Sequence, residues 1–230
     1  MGNLDSKKAF FKFLVEAGAL QFGSFTLKSG RVSPYFFNAA RFQTARQLAR
    51  LGQFYAEVVQ SVSPQATVVV GPAYKGIPLC ITTAMALSER AGRDIGYLFN
   101  RKEAKTHGDE GMFVGRLPDS GDRLVLVDDV ITDGETKREA VQQLRSTFDA
   151  PIEALVIAFD RMERGDSGRS AAGDFQQATG IPVHSVFTLA DLDALLAKGE
   201  PPRPPGGESF PATLREDISA YLETYGAASG

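Results

Sequence analysis

The sequence predicts an α/β protein with a mostly parallel, doubly wound sheet that is flanked by helices and preceded by a small N-terminal hood. Two unbroken apolar runs, residues 67–70 and 124–127, have the composition of strands buried on both faces of a sheet. Segments with helical apolar spacing alternate with the strands, as crossover connections between parallel strands require. With 230 residues, 43% of them hydrophobic, we expect a single domain over residues 1–230.

The spacing of apolar residues and the positions of glycine and proline indicate the order of the elements. Helices are predicted over residues 6–20, 44–62, 76–91, 135–147 and 212–225. Strands are predicted over residues 25–27, 35–37, 67–70, 95–99, 124–127, 154–159 and 183–187. Residues 1–40 break the alternation and, with C-terminal elements, are predicted to form the hood. The polar residues 100–122 and the Pro-rich residues 199–207 are predicted to be loops or tethers.

Composition excludes several classes of protein. A net charge of -3 disfavours a general nucleic-acid binder, which is usually basic. The N terminus lacks the apolar core of a signal peptide, and no segment approaches the about 18 apolar residues of a membrane span. The single cysteine, Cys80, lies in an apolar run and is predicted to be a buried core thiol. We therefore expect a cytoplasmic protein with no nucleic-acid or membrane partner.

The most informative segment is residues 125–136, where an apolar strand runs into Asp128 and Asp129 and then a loop. Ligands of open α/β sheets bind at the carboxyl ends of strands, and loop amides at a helix N terminus favour a phosphate. Gly134 allows close backbone approach, and Thr132 and Thr136 add hydroxyl donors. Two acids would repel a phosphate unless they bind the hydroxyls of its ribose. An Asp-Asp pair alone more often starts a turn and caps a helix.

This segment resembles the phosphoribosyl pyrophosphate (PRPP) signature of the type I phosphoribosyltransferases, which implies that fold and that substrate. Asp133 departs from the signature, because a small residue is usual there, and Glu135 occupies a position that the family leaves open. Both add negative charge beside the expected phosphate. Backbone amides must therefore dominate its binding.

A second strand-to-helix loop, residues 71–76, carries Lys75 and suits the pyrophosphate of the same substrate. The alternative is an ordinary Gly-Pro turn with a solvated lysine. The resemblance implies a cis peptide between Ala73 and Tyr74 in this loop.

Three further segments resemble orotate phosphoribosyltransferases in particular. The basic run 101–108 is similar to the flexible catalytic loop of that family, here placed at about residues 100–115. Residues 25–38 resemble its orotate-specific hood. Arg161, which ends a predicted strand at the same sheet edge, can bind a carboxylate bidentately and so suits orotate. A surface salt bridge is the alternative for Arg161.

The resemblance spans about residues 10 to 225 and implies transfer of 5-phosphoribosyl from PRPP to orotate, giving orotidine 5′-monophosphate and pyrophosphate. It also implies Mg²⁺ held mainly by PRPP and water, with no direct protein ligand, and a homodimer whose loops reach into the neighbouring site. Implied PRPP contacts are Lys28, Tyr74, Lys75, Asp128, Asp129, Val130, Ile131, Thr132, Asp133, Gly134, Glu135 and Thr136. Implied orotate contacts are Phe36, Phe37, Thr132 and Arg161. Implied catalytic residues are Arg101, Lys102, Lys105, His107, Asp128 and Asp129.

Two other functions stay open at this point. A purine or uracil phosphoribosyltransferase would keep the acidic motif but lack the hood with Lys28 and Phe36 and the basic loop. A non-catalytic PRPP sensor would need a nucleic-acid-binding surface, and the sequence shows neither an appended helix-turn-helix nor a basic net charge.

Overall fold

The structure, a computed structural model, describes residues 4–27, 30–105, 111–132, 134–165, 167–199 and 210–227, with only the backbone of 102–105. Its helices are α1 (Leu4–Glu16), α2 (Ala45–Val62), α3 (Gly76–Ala91), α4 (Glu135–Thr147), α5 (Ala171–Thr179), α6 (Leu189–Ala197) and α7 (Leu214–Tyr225). Its strands are β1 (Leu20–Thr26), β2 (Val32–Phe37), β3 (Val68–Val70), β4 (Gly96–Lys105), β5 (Gly111–Gly115), β6 (Leu124–Asp128), β7 (Ile152–Asp160) and β8 (Val183–Thr188). Among the described helices, none has the length and apolar character needed to cross a membrane.

Within these ranges, the central sheet has six strands in the order β5-β4-β3-β6-β7-β8. All neighbouring pairs are parallel except β4 with β5. Because β3 pairs with β6 while its crossover through α3 leads to β4, the strand order reverses between β3 and β6. Ligands of doubly wound sheets bind at such a reversal, outside the carboxyl ends of the strands. The sequence prediction of a mostly parallel sheet is confirmed.

Alternate residues of the central strands enter two separate cores, one on each face of the sheet. Val69 of β3 and Val125 of β6 belong to the larger core, which includes residues of α1, α2, α3, α6 and α7. Val68 and Leu124 face the smaller core, with residues of α4 and α5. Burial on both faces explains why these strands are apolar throughout rather than alternating.

The hood consists of the antiparallel pair β1 and β2, which is separate from the central sheet. Tyr35 of β2 is buried between Phe159 of β7, at 5.6 Å between ring centroids, and Tyr221 of α7, at 5.8 Å. Phe37 stacks on the same Phe159 ring at 5.3 Å. These contacts bring the hood and α7 together beside the end of β7.

Three sequence predictions need correction. The segment 100–115 is not a loop throughout, because β4 continues to Lys105 and pairs with β5, with Asn100 opposite Phe113. The apolar residues of β5 drive this pairing, since Phe113 packs on Phe148 at 5.1 Å. Helices α5 and α6 were not predicted. They are short, and α5 buries one apolar side chain, Phe175, so its periodic signal is weak.

Candidate active site

The acidic turn after β6 is held rigidly by backbone contacts to neighbouring elements. The carbonyl of Asp128 accepts a 2.6 Å hydrogen bond from the hydroxyl of Tyr55 on α2. The carbonyl of Asp129 accepts from the amide of Ala158 on β7 at 2.9 Å. Burial, strengthened by both nearby carboxylates, raises the pKa of Tyr55 well above its ordinary value, so the phenol stays a donor. The turn is thereby tied to both α2 and β7.

Each acid of the pair is bound by one backbone amide and by one lysine. Asp128 Oδ1 accepts from the amide of Asp129 at 2.8 Å, and Asp129 Oδ1 accepts from that of Val130 at 2.9 Å. The Oδ2 atoms lie 2.6 Å from Lys137 Nζ and 3.0 Å from Lys75 Nζ, respectively. The two carboxylates are therefore neutralised and oriented by cations from α4 and from the loop before α3.

The start of α4 has features that suit an anion site. Gly134 precedes the helix with a φ of +73°, in the left-handed region that favours glycine, and it offers no side chain to cap the helix. Ile131 is buried, whereas Thr132 and Thr136 are exposed. The start of α4 therefore offers backbone amides to a ligand, and exposed Thr136 on the helix and Thr132 before it offer hydroxyls.

The loop carrying Lys75 faces the acidic turn, as the sequence predicts. The peptide between Ala73 and Tyr74 is cis, which confirms the expectation from family resemblance. The amide of Ala73 donates to Asn100 Oδ1 at 3.0 Å, and this bond ties the loop to β4. Lys75 Nζ contacts Asp129 Oδ2, although the lysine side chain is 69% exposed. Tyr74 is likewise exposed beside it.

Gly71 and Gly76 make this loop tight, and we predict that Gly71→Ala disrupts it. A Cβ on Gly71 would lie 2.0 Å from the carbonyl oxygen of Gly76, a backbone atom that cannot rotate away. We expect a loss of about 3 kcal/mol in the free energy of unfolding, as for a severely overpacked site. Chemical denaturation measures this. Gly173→Ala on α5, whose nearest atoms are 3.5 Å away or more, is the control and should leave stability near wild type.

Arg161 ends β7 and lies close to the hood. Its Nε donates to Glu163 Oε1 at 2.9 Å, with a second bond from Nη2, and its guanidinium carbon is 5.9 Å from the ring centre of Tyr35. Glu163 also accepts from the hydroxyl of Tyr221 at 2.6 Å and lies 3.5 Å from Arg31. Burial opposes the charge on Arg161, but Tyr35 and Glu163 outweigh it and raise its pKa, so the guanidinium is permanently charged.

Of the two hood phenylalanines, Phe36 is 39% exposed and stacks on Phe25 at 5.6 Å between centroids. Phe37 packs instead on Phe159, in the contact described above. Phe36 therefore has the ring surface accessible to a ligand, whereas Phe37 joins the hood to the sheet. Their contacts to a base stay a prediction.

Several predicted site residues lie outside the described part of the chain. The backbone of Lys102 and Lys105 belongs to β4, and their side chains are not described. Arg101 is described and half-buried in β4, and Glu135 is exposed at the start of α4. Predicted residues outside the described ranges are Lys28, His107 and Asp133.

Sequence reasoning missed four residues that organise the site: Tyr55, Asn100, Lys137 and Glu163. Lys137 had a recognisable signal, because a period of 3.6 places it on the face of α4 that carries Val141 and Leu144. Tyr55 is 73 residues from its partner Asp128, and Glu163 is 58 residues from its partner Tyr221. Nothing local in the sequence indicates these contacts.

Comparison with known proteins decides the family. The orotate phosphoribosyltransferase of Chromohalobacter salexigens is 46% identical over 96% of this chain and 94% of its own length. That of Bifidobacterium animalis subsp. lactis is 44% identical over 95% of this chain and 96% of its own. The chain belongs to the orotate phosphoribosyltransferase family. No family model matches it.

The fold of this orotate phosphoribosyltransferase family member agrees with that of a solved relative. The crystal structure of the Francisella tularensis orotate phosphoribosyltransferase superimposes with a TM-score of 0.80, at 34% identity, covering 95% of this chain and 99% of that one. The mostly parallel sheet flanked by helices is thus the type I phosphoribosyltransferase fold.

Proposed function

We propose that this chain transfers 5-phosphoribosyl from PRPP to orotate, giving orotidine 5′-monophosphate and pyrophosphate in pyrimidine nucleotide synthesis. The observation that carries the proposal is the rigid acid pair, Asp128 and Asp129, leading into the glycine-started helix α4 and faced by the Lys75 loop. The 5-phosphate binds amides and hydroxyls of the loop at Thr132 and Gly134, and the acids receive the ribose hydroxyls. Membership of the family supports this assignment.

Departure of pyrophosphate develops positive charge on the ribose and negative charge on the leaving group. Asp129 and Asp128 stabilise the positive charge on the ribose through the sugar hydroxyls. Cations on β4 and on the segment that follows it stabilise the negative charge of the leaving group, once the hairpin formed by β4 and β5 closes over the site and excludes water. These cations are Arg101, Lys102, Lys105 and His107, together with Lys75. No protein nucleophile is required, because a ring nitrogen of orotate attacks.

Mg²⁺ is the proposed cofactor, and the residues present fit a cation held chiefly by the substrate. Both carboxylates of the acid pair are bound by lysines, Lys137 and Lys75, in the absence of substrate, so a cation that arrives with PRPP would be held chiefly by the substrate and water. Bound Mg²⁺ supplies Lewis-acid stabilisation of the leaving phosphates. The protein's part is to orient the diol and to neutralise the pyrophosphate with lysines.

Orotate is proposed to bind between the hood and the end of β7. Exposed Phe36 offers a ring face, Phe37 offers backbone groups, and Thr132 offers a hydroxyl from the phosphate loop. Arg161 receives the orotate carboxylate, and Glu163 holds its guanidinium in the orientation for that contact. Lys28 in the hood turn is proposed to contact PRPP.

Replacing Arg161 by lysine should weaken orotate binding selectively. Lysine keeps the charge but loses the bidentate geometry, so we expect the KM for orotate to rise about 10- to 100-fold, with the KM for PRPP nearly unchanged. Steady-state kinetics with each substrate varied measures the two constants. Arg31→Lys, which also loosens a contact to Glu163, is the control for a general disturbance of the hood. An equal rise in both KM values would contradict the assignment.

A homodimer with shared sites, located in the cytoplasm, is proposed from the same family relationship. Large apolar side chains from three separate parts of the chain are exposed and available to an interface. Met85 on α3 is 62% exposed, Tyr97 on β4 40%, and Leu117 after β5 63%.

The decisive assay is release of pyrophosphate from PRPP and Mg²⁺ on addition of orotate. Orotate-dependent release supports the transferase and contradicts a non-catalytic PRPP sensor. Equilibrium binding of orotate, uracil and hypoxanthine to the same preparation separates the nearest rival enzymes. Tighter binding of uracil or hypoxanthine than of orotate would overturn the choice of base.

A further inference from the structure

Lys137 on α4 is a buried cation for which the proposed chemistry has no role. The residue is 8% exposed and lies on the buried face of the helix with Ala140, Val141 and Leu144. Lysine is rarely buried without a partner, because removing its charge from water is unfavourable. Its partner is Asp128, whose Oδ2 lies 2.6 Å from Lys137 Nζ.

The two acids differ in how firmly their lysines are held. The side chain of Lys137 is 10% exposed and that of Asp128 is 12% exposed, so this ion pair is shut off from water. The side chain of Lys75 is 69% exposed, although its partner Asp129 is 10% exposed. A solvated lysine leaves a carboxylate with little loss of free energy, whereas breaking a buried pair is strongly unfavourable. Only the Lys75 pair is therefore free to exchange.

Electrostatics supports this distinction. Burial raises the pKa of Asp128, and Lys137 is the strongest influence in the opposite direction, through its charge and its hydrogen bond. Among the described residues, the other ionisable groups that face Asp128 are its neighbour Asp129, which opposes its charge, and the phenol of Tyr55, which stays protonated. Lys75 faces Asp129 rather than Asp128.

We propose that Lys137 is a positioning residue that keeps Asp128 charged and immobile while it accepts a ribose hydroxyl of PRPP, so that only Asp129 gives up its lysine when PRPP binds. The released Lys75 then turns to the pyrophosphate. This difference in role between Asp128 and Asp129 rests on the proposed function, because it presupposes that PRPP binds at the acid pair.

The test is calorimetric titration of PRPP into the full-length protein and its Lys137→Met variant across a pH series, with folding checked by circular dichroism. Without Lys137, Asp128 takes up a proton at higher pH. We therefore expect the loss of PRPP affinity on acidification to occur at higher pH in Lys137→Met than in the wild type. At neutral pH the Kd should rise about tenfold. Lys137→Arg keeps the charge and should return the midpoint toward wild type.

A double variant distinguishes positioning from direct contact and covers the case in which Lys137→Met fails to fold. Asp128→Asn removes the buried charge that Lys137 neutralises, so Asp128→Asn with Lys137→Met should bind PRPP as Asp128→Asn alone does. A further loss in the double variant, or a Lys137→Met protein with the wild-type Kd and midpoint, would overturn the proposal. Lys12→Met, at an exposed lysine of α1, is the control. Failure of the wild-type protein to bind PRPP would instead reject the proposed function.

Discussion

Replacing Asp129 by asparagine is expected to lower kcat/KM for PRPP by about 10²- to 10³-fold while the protein stays folded. Asparagine keeps the size of the side chain and an oxygen for the amide of Val130, so the turn retains its local hydrogen bond. The substitution removes the negative charge that we propose accepts hydrogen bonds from the ribose hydroxyls and supports positive charge on the sugar. The ion pair with Lys75 is lost too, but its lysine is exposed, so stability should change little.

Initial rates at varied PRPP, with a thermal unfolding curve for each variant, measure this effect. Asp149→Asn is the matched control, because Asp149 is an exposed acid beyond the far end of α4. Wild-type kcat/KM in a folded Asp129→Asn protein would place the ribose elsewhere and remove the basis of the proposed function. A loss restricted to the KM for orotate would place the acid in the base site instead.

The second large effect is expected for Lys105→Ala, with a fall in kcat of about 10²- to 10³-fold and near-normal orotate binding. The physical reason is that a cation from the β4–β5 hairpin is needed when negative charge develops on pyrophosphate, and not when the base binds. Turnover and equilibrium binding of orotate, measured on the same preparation, separate the two steps. Lys198→Ala, after α6, is the control for loss of a surface lysine.

Sharing of the hairpin between subunits is tested by mixing Lys105→Ala chains with Asp129→Asn chains. If the hairpin serves the neighbouring site, one of the two sites in a mixed dimer combines an intact Asp129 with an intact Lys105, and activity returns. Each parent variant alone should remain nearly inactive. Purified mixed dimers without recovered turnover would show that each hairpin serves its own subunit.

Much of the fold could be predicted because its information is local. The strands at residues 67–70 and 124–127 are apolar on both faces, and α2 and α3 have clear helical periodicity. The pairing of β4 with β5 was not predicted, because residues 101–105 are mostly polar and their pairing partner is a separate segment of the chain. Strand pairing depends on a second segment, and composition within one segment does not reveal it.

The sequence by itself predicted a sugar phosphate site after β6, since the acids, the glycine and the helix start are consecutive. It also predicted that the loop carrying Lys75 binds an anion of the same substrate. Only the tertiary structure decided which cation holds which acid: buried Lys137 holds Asp128 and exposed Lys75 holds Asp129. The physical reason is that the strength and mobility of an ion pair depend on its burial and geometry, which arise when α3, α4 and β6 pack together.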